Sequence, residues 1–205
     1  MQQNSEFGQD YAEEQLRRSK HPIRRIIKQF YLDNILADVR GPALDVGCGA
    51  GQLLASLPKG SLGLEINPYL IKELASSGLN VMPYNLEEDD FAVSCIASGT
   101  YKTIIVAHVL EHFSDAANAV RKLIHAANRL GVERIIIVVP GRKGYASDET
   151  HKTFVDRTFF KGSDLEYVEG FRIKGYTDFP LPLKAADKYF VYQELKIVYE
   201  KEGQA

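Results

Sequence analysis

The sequence lacks the features that mark secreted, membrane-spanning and nucleic-acid-binding proteins. Its 205 residues include only two cysteines, Cys48 and Cys95, which cannot form a disulfide framework. No apolar run approaches the roughly 20 residues that span a bilayer, and the polar start MQQNSEFGQDYAEEQ has no signal-peptide core. The formal net charge of −2 provides no global basic field for nucleic acid. We therefore expect one domain, with or without a cap, in a reducing cytoplasm.

What the sequence does contain is an alternation of short apolar runs with segments of helical periodicity. The runs ALDV, SLGLEI, YKTIIVAHV and VERIIIVVP read as strands, and NVMPYN reads as a weaker one between them. Pro68 opens one helical segment, and Asp115 is placed to cap another that Gly131 ends. Alternating strands and helices predict a parallel sheet with helices on both faces.

The two ends of the chain depart from this alternation. Residues 10–39 have apolar residues near helical spacing and predict a helical cap or lid over residues 1–40. Residues 158–169 read as a helix, and GFRIKGYTDF and YFVYQELKIVYEK predict two final strands that pair antiparallel. The predicted fold class is α/β: a Rossmann-like, doubly wound sheet of seven strands, mostly parallel with an antiparallel C-terminal strand, over residues 41–205.

The stretch LDVGCGAGQLL places three glycines directly after the first predicted strand. In a doubly wound sheet, ligands bind beyond the carboxyl ends of the strands, where glycine tolerates a positive φ and lets a ligand approach the backbone. Glu65 ends the second strand, where a carboxylate can accept hydrogen bonds from both hydroxyls of a ribose. These features predict a site for an adenosine-containing cofactor, either a nicotinamide dinucleotide or another nucleoside.

The spacing of the glycines favours a cofactor without a pyrophosphate. A dinucleotide fingerprint reads G-x-G-x-x-G. Gly47, Gly49 and Gly51 instead read G-x-G-x-G, and Gln52 takes the place of the fingerprint's last glycine. The phosphate-binding motif G-x-x-x-x-G-K-[ST] does not occur in the sequence. A dehydrogenase is therefore disfavoured.

Four motifs in order carry a resemblance to a known family: ALDVGCGAGQLLASLP, LGLEINPYLI, YNLEED and YKTIIVAHVLEHF. Together they resemble the class I S-adenosylmethionine-dependent methyltransferases, most of all the subgroup with LEH after the fourth strand. The resemblance covers about residues 41–140 and extends more loosely to the C-terminus. It implies an enzyme with a methyltransferase domain over residues 41–205, with S-adenosylmethionine as the cofactor and S-adenosylhomocysteine as the product.

The resemblance also implies roles for individual residues. Two departures accompany it: Asn85 stands where the family usually has an aspartate, and Lys102 stands where the fourth strand often opens with one. An asparagine can still accept a hydrogen bond from the adenine amino group, and Lys102 is expected outside the pocket. The implied cofactor contacts are Gly47, Gly49 and Gly51 under the methionine part, Asp45 orienting their loop, Glu65 at the ribose, Ile66, Asn85 and Leu86 at the adenine, and Ala107 and His108 beside the sulfur and amino group.

Histidine is the candidate for a general base, since an acceptor that must lose a proton needs a base that works near neutral pH. His151, on the rim after the fifth strand, is the preferred catalytic candidate, and a solvated loop residue is the alternative. His112, in LEH, is the second candidate, with a structural hydrogen bond as the alternative. His125 is expected on a helix surface. No group of residues has convincing metal-ligand spacing, so the sequence predicts no metal site.

The sequence does not name the methyl acceptor. The preferred hypothesis is a small molecule that is O- or N-methylated. It is anionic if the basic stretch RRSKHPIRRIIK is a lid and not a solvated helix face. An RNA or protein methyltransferase and a non-catalytic module that binds S-adenosylmethionine are the alternatives, although nucleic acid is disfavoured and no membrane partner is expected. Tyr145 and Phe179 are candidates to line the acceptor site, and the resemblance implies that Tyr11 reaches the cofactor carboxylate if the lid closes.

Overall fold

The computed structural model describes residues 22–182 and 184–203. Tyr11 and residues 17–21 of the basic stretch lie outside the described residues, whereas residues 22–28 belong to a helix. The strands are β1 (Ala43–Val46), β2 (Leu62–Glu65), β3 (Val81–Pro83), β4 (Thr103–Ala107), β5 (Arg134–Pro140), β6 (Tyr167–Val168), β7 (Phe171–Phe179) and β8 (Glu194–Lys201). The α-helices are α1 (Pro22–Leu36), α2 (Pro68–Ser76), α3 (Ala116–Leu130), α4 (Arg142–Tyr145) and α5 (Arg157–Phe160). Short 3-10 helices span Leu54–Ser56, Leu110–His112, Asp164–Glu166 and Lys184–Lys188.

The strands form one mixed sheet in the order β3-β2-β1-β4-β5-β8-β7-β6. Strands β1 to β5 are parallel to their neighbours in that order, and β8 pairs antiparallel with both β5 and β7. The order reverses at β1, which lies between β2 and β4, so the loops after β1 and β4 meet at a topological switch point. The prediction of a mostly parallel α/β sheet with an antiparallel C-terminal pair is confirmed.

The predicted count of seven strands is wrong, because the described residues form an eight-stranded sheet. The extra strand β6 lies in the segment predicted as helical over residues 158–169. It pairs with β7, opposing Tyr167 to Arg172 and Val168 to Phe171. Between them, Glu169 and Gly170 both have positive φ, 46° and 87°, which is the backbone signature of a tight hairpin turn. Pairing with β7 therefore determines the conformation of Tyr167 and Val168, although residues 158–169 have a helical pattern.

The helix termini follow their capping residues in most places. The Asp115 side chain accepts a hydrogen bond from Asn118 N at 3.0 Å, and Gly131 ends α3 with a φ of 72°, as predicted. The sequence GQLLASLP after the glycine loop also predicts the start of a helix, but the structure has only the short 3-10 turn Leu54–Ser56 there. Pro58 accounts for this difference, since a residue before proline avoids the helical region and Leu57 is extended.

The core lies on both faces of the sheet. Alternate residues of β1, β4 and β5 face α3 on one side, where Val120, Leu123 and Ala127 are buried. The other set of strand residues packs on the side of α1, where Ile35 is completely buried. Within the described parts of the chain, no helix combines the length and apolar character needed to cross a membrane.

Candidate active site

The glycine loop bends sharply where β1 ends. Gly47, Gly49 and Gly51 have φ values of 72°, 53° and 70°, in the left-handed region that glycine favours. A Cβ at Gly51 would lie 2.3 Å from Leu74 Cδ2, and one at Gly47 would lie 2.6 Å from Val109 Cγ2. A Cβ at Gly49 would meet nothing within 4 Å. Two of the glycines are therefore required by packing, and the third leaves open space over the backbone.

Glu65 holds this loop against the end of β2. Its Oε2 accepts a hydrogen bond from Gly49 N at 2.8 Å, and its Oε1 accepts from Ile66 N at 2.9 Å and Asn67 N at 2.8 Å. Burial raises the pKa of Glu65, while the three N–H donors act in the opposite direction. A carboxylate offers about four acceptor positions, so one remains on Oε2 for a ribose hydroxyl. The neighbouring Ile66 is 43% exposed and offers an apolar surface for a base.

The two predicted adenine contacts have other roles in this structure. Asn85 Oδ1 accepts hydrogen bonds from Glu87 N at 3.1 Å and Glu88 N at 3.4 Å and so caps a turn. Leu86 is half-buried against the main core, and its carbonyl accepts a hydrogen bond from Phe91 N. The amide oxygen of Asn85 is thus already engaged.

Lys102 precedes β4, at the amino end of the strand and away from the glycine loop. Its exposed Nζ forms an ion pair with Glu133 Oε1 at 2.6 Å. The described contacts of Lys102 agree with its expected position outside the pocket. Asp45, in contrast, is buried within β1, 2% exposed, directly before the glycine loop.

His108 follows Ala107 at the carboxyl end of β4 and has a positive φ of 56°. Its Nδ1 lies 3.4 Å from Glu111 Oε1, and its Nε2 lies 3.3 Å from Glu194 Oε1. Burial alone would lower the pKa of His108, but Glu194 and Glu111 raise it to about 10. The ring of Tyr31, on α1, stacks on the imidazole at 6.0 Å. His108 therefore carries a positive charge between two carboxylates.

The two predicted catalytic histidines lie next to each other. The ring centroids of His112 and His151 are 4.8 Å apart. Glu111 completes the group: its side chain is fully buried, and neither carboxylate oxygen accepts a hydrogen bond. Each of the three residues can offer one metal-ligand atom, and these atoms all lie within 4.8 Å of one another. The sequence predicted no such cluster, because His112 and His151 are 39 positions apart. A metal site can be recognised in a sequence only when its ligands lie at short, regular spacing.

Hydrogen bonds orient both rings. His151 Nδ1 lies 2.8 Å from the carbonyl oxygen of Tyr145, which can only accept, so Nδ1 carries the hydrogen. His112 Nδ1 lies 3.1 Å from Thr150 Oγ1, whose own hydrogen is donated to Asp148 Oδ1 at 2.7 Å. Burial lowers the pKa of His112, which keeps its ring neutral. In the neutral rings, Nε2 of each histidine has the free lone pair.

Backbone contacts fix the loop that carries His151. The carbonyl oxygen of Glu111 accepts hydrogen bonds from Lys152 N at 2.7 Å and Thr153 N at 3.1 Å. The Tyr145 ring stacks on His151 at 5.3 Å with an interplanar angle of 22°, so it borders the cluster. Phe179 is instead a core residue, 3% exposed, and the expectation that it lines a pocket is wrong. His125 lies on the surface, as predicted, with Nδ1 at 3.2 Å from Glu169 Oε2.

Comparison with known proteins identifies the central part of the chain. Residues 44–132 match the family model described as "Methyltransferase domain". These residues form a methyltransferase domain. The matched segment contains the glycine loop, Glu65 and His108, and the match supports a methyltransferase enzyme. A sequence search of the curated proteins found no match.

Solved methyltransferase structures share the fold. A SAM-dependent methyltransferase from Archaeoglobus fulgidus is 18% identical, with a TM-score of 0.63 over 91% of this chain and 98% of its own. Magnesium protoporphyrin IX methyltransferase from Synechocystis, with bound SAH, is 15% identical, with a TM-score of 0.61 over 96% and 97%. The N-methyltransferase NodS from Bradyrhizobium japonicum, also with SAH, is 14% identical, with a TM-score of 0.61 over 94% and 97%. At these identities, the likeness concerns the fold.

Proposed function

We propose that this methyltransferase belongs to the LEH subgroup and transfers the methyl group to a small-molecule acceptor, at an oxygen or a nitrogen. The observation that supports this proposal is the grouping of Glu111, His112 and His151 beside His108, at the carboxyl ends of β4 and β5. The same edge of the sheet carries the glycine loop, so the acceptor and the methyl donor meet there. Both histidines are partly buried, which suits a small acceptor that enters a cleft.

In the proposed cofactor site, the backbone of the glycine loop provides most of the surface that contacts S-adenosylmethionine. Gly47, Gly49 and Gly51 pass under the methionine part of S-adenosylmethionine, with Gly49 giving the closest approach because no atom fills the space above it. Glu65 accepts a hydrogen bond from the ribose, and Ile66 packs on the adenine. In this proposal, Asp45 supports the loop from β1, and Ala107 and His108 lie beside the sulfur and the amino group. Leu86 N–H lies at the adenine, and Asn85 contacts the adenine by exchanging a hydrogen bond of its turn. When bound, the cofactor supplies an electrophilic methyl group.

His151 and His112 serve the acceptor. Their Nε2 atoms have the free lone pairs that can bind or remove an acceptor proton, and their Nδ1–H groups are held by Tyr145 and Thr150. Direct proton removal by His151 is the simplest form of this role. A base of this kind contributes about 10²–10⁴ to the rate.

The predicted cap over residues 1–40 is represented in the described part of the chain by α1 (Pro22–Leu36), which covers the site in this proposal. The supporting observation is that Tyr31, on α1, lies over both His108 and Phe179, at ring distances of 6.0 Å and 5.9 Å. If the cap closes the site, a deletion of residues 1–20 weakens S-adenosylmethionine binding in calorimetric titration. An unchanged affinity in the deletion variant would contradict the cap.

The acceptor class is tested by label transfer from methyl-tritiated S-adenosylmethionine into an extract of the source cells. We expect the label in the low-mass fraction, and we expect it to survive treatment with RNase and with protease. Label that becomes acid-soluble only after RNase would indicate an RNA acceptor, and label released by protease would indicate a protein. Cofactor binding without any transfer would favour the non-catalytic module.

A further inference from the structure

We propose that Glu111, His112 and His151 bind one divalent transition-metal cation. The three side chains come from two separate segments, the 3-10 helix after β4 and the loop after β5. Two imidazoles and one carboxylate are a common ligand set for such cations in proteins, and three protein ligands leave a position open for a further molecule. The inference rests on the proposed function for its role in catalysis, but the site itself stands on its geometry.

The strongest observation is the buried carboxylate of Glu111. Its side chain has 0% relative exposure, and neither oxygen accepts a hydrogen bond. Burial of a carboxylate without hydrogen bonds is costly, and native proteins offset that cost with a paired charge or a bound metal. His108 Nδ1 lies 3.4 Å from Oε1 and is shared with Glu194, so it supplies only part of the compensation. A cation at the cluster would supply the rest.

The orientation of the two histidines points to the same ligand. His151 Nε2 lies 3.9 Å from Glu111 Oε1, and the hydrogen bond to Tyr145 leaves a lone pair on that nitrogen. Two electron-rich atoms therefore face each other with no hydrogen between them. Metal-bound histidines typically donate the other ring N–H to a carbonyl or a hydrogen-bonded polar group, as His151 and His112 do here to Tyr145 and Thr150.

The distances need only a small adjustment. Zinc-like cations bind nitrogen and oxygen at about 2.0–2.2 Å, which brings ligand atoms to within roughly 4 Å of one another. The three ligand atoms already lie within 4.8 Å. A modest rotation of the His112 or His151 side chain closes the difference. Imidazole and carboxylate together favour zinc, manganese, iron or cobalt over magnesium or calcium.

A cation at this place restricts the class of acceptor to hydroxyl compounds. An amine bound to the cation would use its only lone pair for the metal and could not attack the methyl group, whereas a hydroxyl oxygen keeps a further pair. Binding to the cation also lowers the pKa of the hydroxyl. In this form of the reaction His151 holds the cation, so it does not itself remove the acceptor proton. The O–CH₃ bond forms, the S–CH₃ bond of the sulfonium breaks, the hydroxyl proton leaves to water, and S-adenosylhomocysteine departs as a neutral thioether.

The first test measures Co²⁺ binding to the full chain after EDTA treatment and dialysis, by calorimetry and by visible absorption. We expect one equivalent to bind, with loss of at least about 100-fold in affinity in His112→Ala, His151→Ala and Glu111→Gln. The matched control is His125→Ala, a surface histidine outside the cluster, which should bind Co²⁺ like the wild type. Absence of binding by the wild type, or equal binding by the three variants, would overturn the site.

Circular dichroism shows whether each ligand variant is folded. If one is not, the variant Thr150→Val and a titration with acetohydroxamate test the site. Thr150→Val removes the hydrogen-bond partner of His112, together with the bond from Thr150 to Asp148, and leaves all three ligands in place. It should weaken Co²⁺ binding by about 10–100-fold; an unchanged affinity would count against the site. Acetohydroxamate, a hydroxylated probe, should change the Co²⁺ absorption spectrum by entering the open position, and an unchanged spectrum would overturn the hydroxyl assignment.

S-adenosylmethionine binding separates failure of this inference from failure of the proposed function. A protein that binds the cofactor but not Co²⁺ would overturn the metal site alone. A protein that binds Co²⁺ but not the cofactor would overturn the proposed function and leave the metal site standing.

Discussion

The proposed cofactor side and the proposed acceptor side of this molecule are built in different ways. The cofactor side comes from one short segment, in which the backbone of Gly47 to Gly51 and the carboxylate of Glu65 lie at the ends of adjacent strands. The acceptor side comes from side chains of two distant segments, with Glu111 and His112 after β4 and His151 after β5. A backbone-built site tolerates a varied surrounding sequence, while a side-chain cluster depends on the correct packing of a loop. Substitutions on the two sides should therefore fail in different ways.

The largest expected effect is on turnover, from the acceptor side. His151→Ala should lower kcat by about 10²–10⁴, because it removes a group that binds or deprotonates the acceptor. The affinity for S-adenosylmethionine should stay within about twofold, since the contacts of Glu65 and Gly49 do not involve this loop. Steady-state kinetics and calorimetry on the same preparation measure both quantities, with His125→Ala as the control. Unchanged turnover would remove His151 from the mechanism.

On the cofactor side, Glu65→Ala should weaken S-adenosylmethionine binding by about 10–150-fold, since a lost hydrogen bond to a charged group costs about 1.5–3 kcal/mol. The loop also loses its bond from Gly49 N. Glu73→Ala, an exposed acid on α2, is the matched control and should bind normally. Calorimetric titration with S-adenosylmethionine and S-adenosylhomocysteine provides the measurement. Full affinity in the Glu65 variant would show that the ribose binds elsewhere.

The glycine loop itself offers a paired comparison. Gly51→Ala should lower the free energy of unfolding by about 2–4 kcal/mol, because the new methyl group overpacks Leu74 and the φ is left-handed. Gly49→Ala should cost only about 1–2 kcal/mol for its φ, yet it should weaken cofactor binding, since its methyl group enters the open space. Urea unfolding and calorimetry measure the two effects. Equal losses of stability would mean that Gly49 is a packing residue too.

The smallest expected effect is the pH dependence of cofactor binding. Burial raises the pKa of Glu65, so its carboxylate becomes protonated at a higher pH than an ordinary glutamate does. Affinity for S-adenosylmethionine should be full above this pKa and fall by at most about tenfold per pH unit below it. The stability of the free protein should depend on pH in the opposite direction. Because the pKa of Glu65 is higher in the folded than in the unfolded protein, ionised Glu65 destabilises the fold. The free energy of unfolding should therefore rise as the pH falls through the folded-state pKa. Titrations from pH 8 to 5 should show both trends, and Glu65→Gln should show neither.

The sequence predicted the parts of the fold that depend on local pattern. The strands β1 to β5 and the caps at Asp115 and Gly131 follow from apolar runs and capping residues, and the structure confirms them. The hairpin that adds β6 was missed, because its turn at Glu169 and Gly170 lies in a segment of helical composition. The helix predicted from GQLLASLP was too long, because Pro58 ends the helical turn after the glycine loop.

The residues of the candidate site also differ in how well the sequence predicts them. Glu65 and the glycines were predicted as cofactor contacts because they lie close together in the sequence. Glu111 received no role, although it stands beside His112 in LEH, since a single acid next to a histidine is a weak signal. Its significance lies in its complete burial and in the approach of His151, and neither can be read from spacing.

The sequence by itself determined the α/β class and the switch point after β1, because short-range periodicity and glycine positions specify local backbone geometry. The type of cofactor came from the resemblance of four motifs to a known family. Only the tertiary structure decided which side chains meet across β4 and β5, that Asn85 caps a turn and that His108 stands between two carboxylates. These arrangements depend on long-range packing of loops, in which residues far apart in the chain share one environment, and the burial that sets their chemistry exists only once the chain has folded.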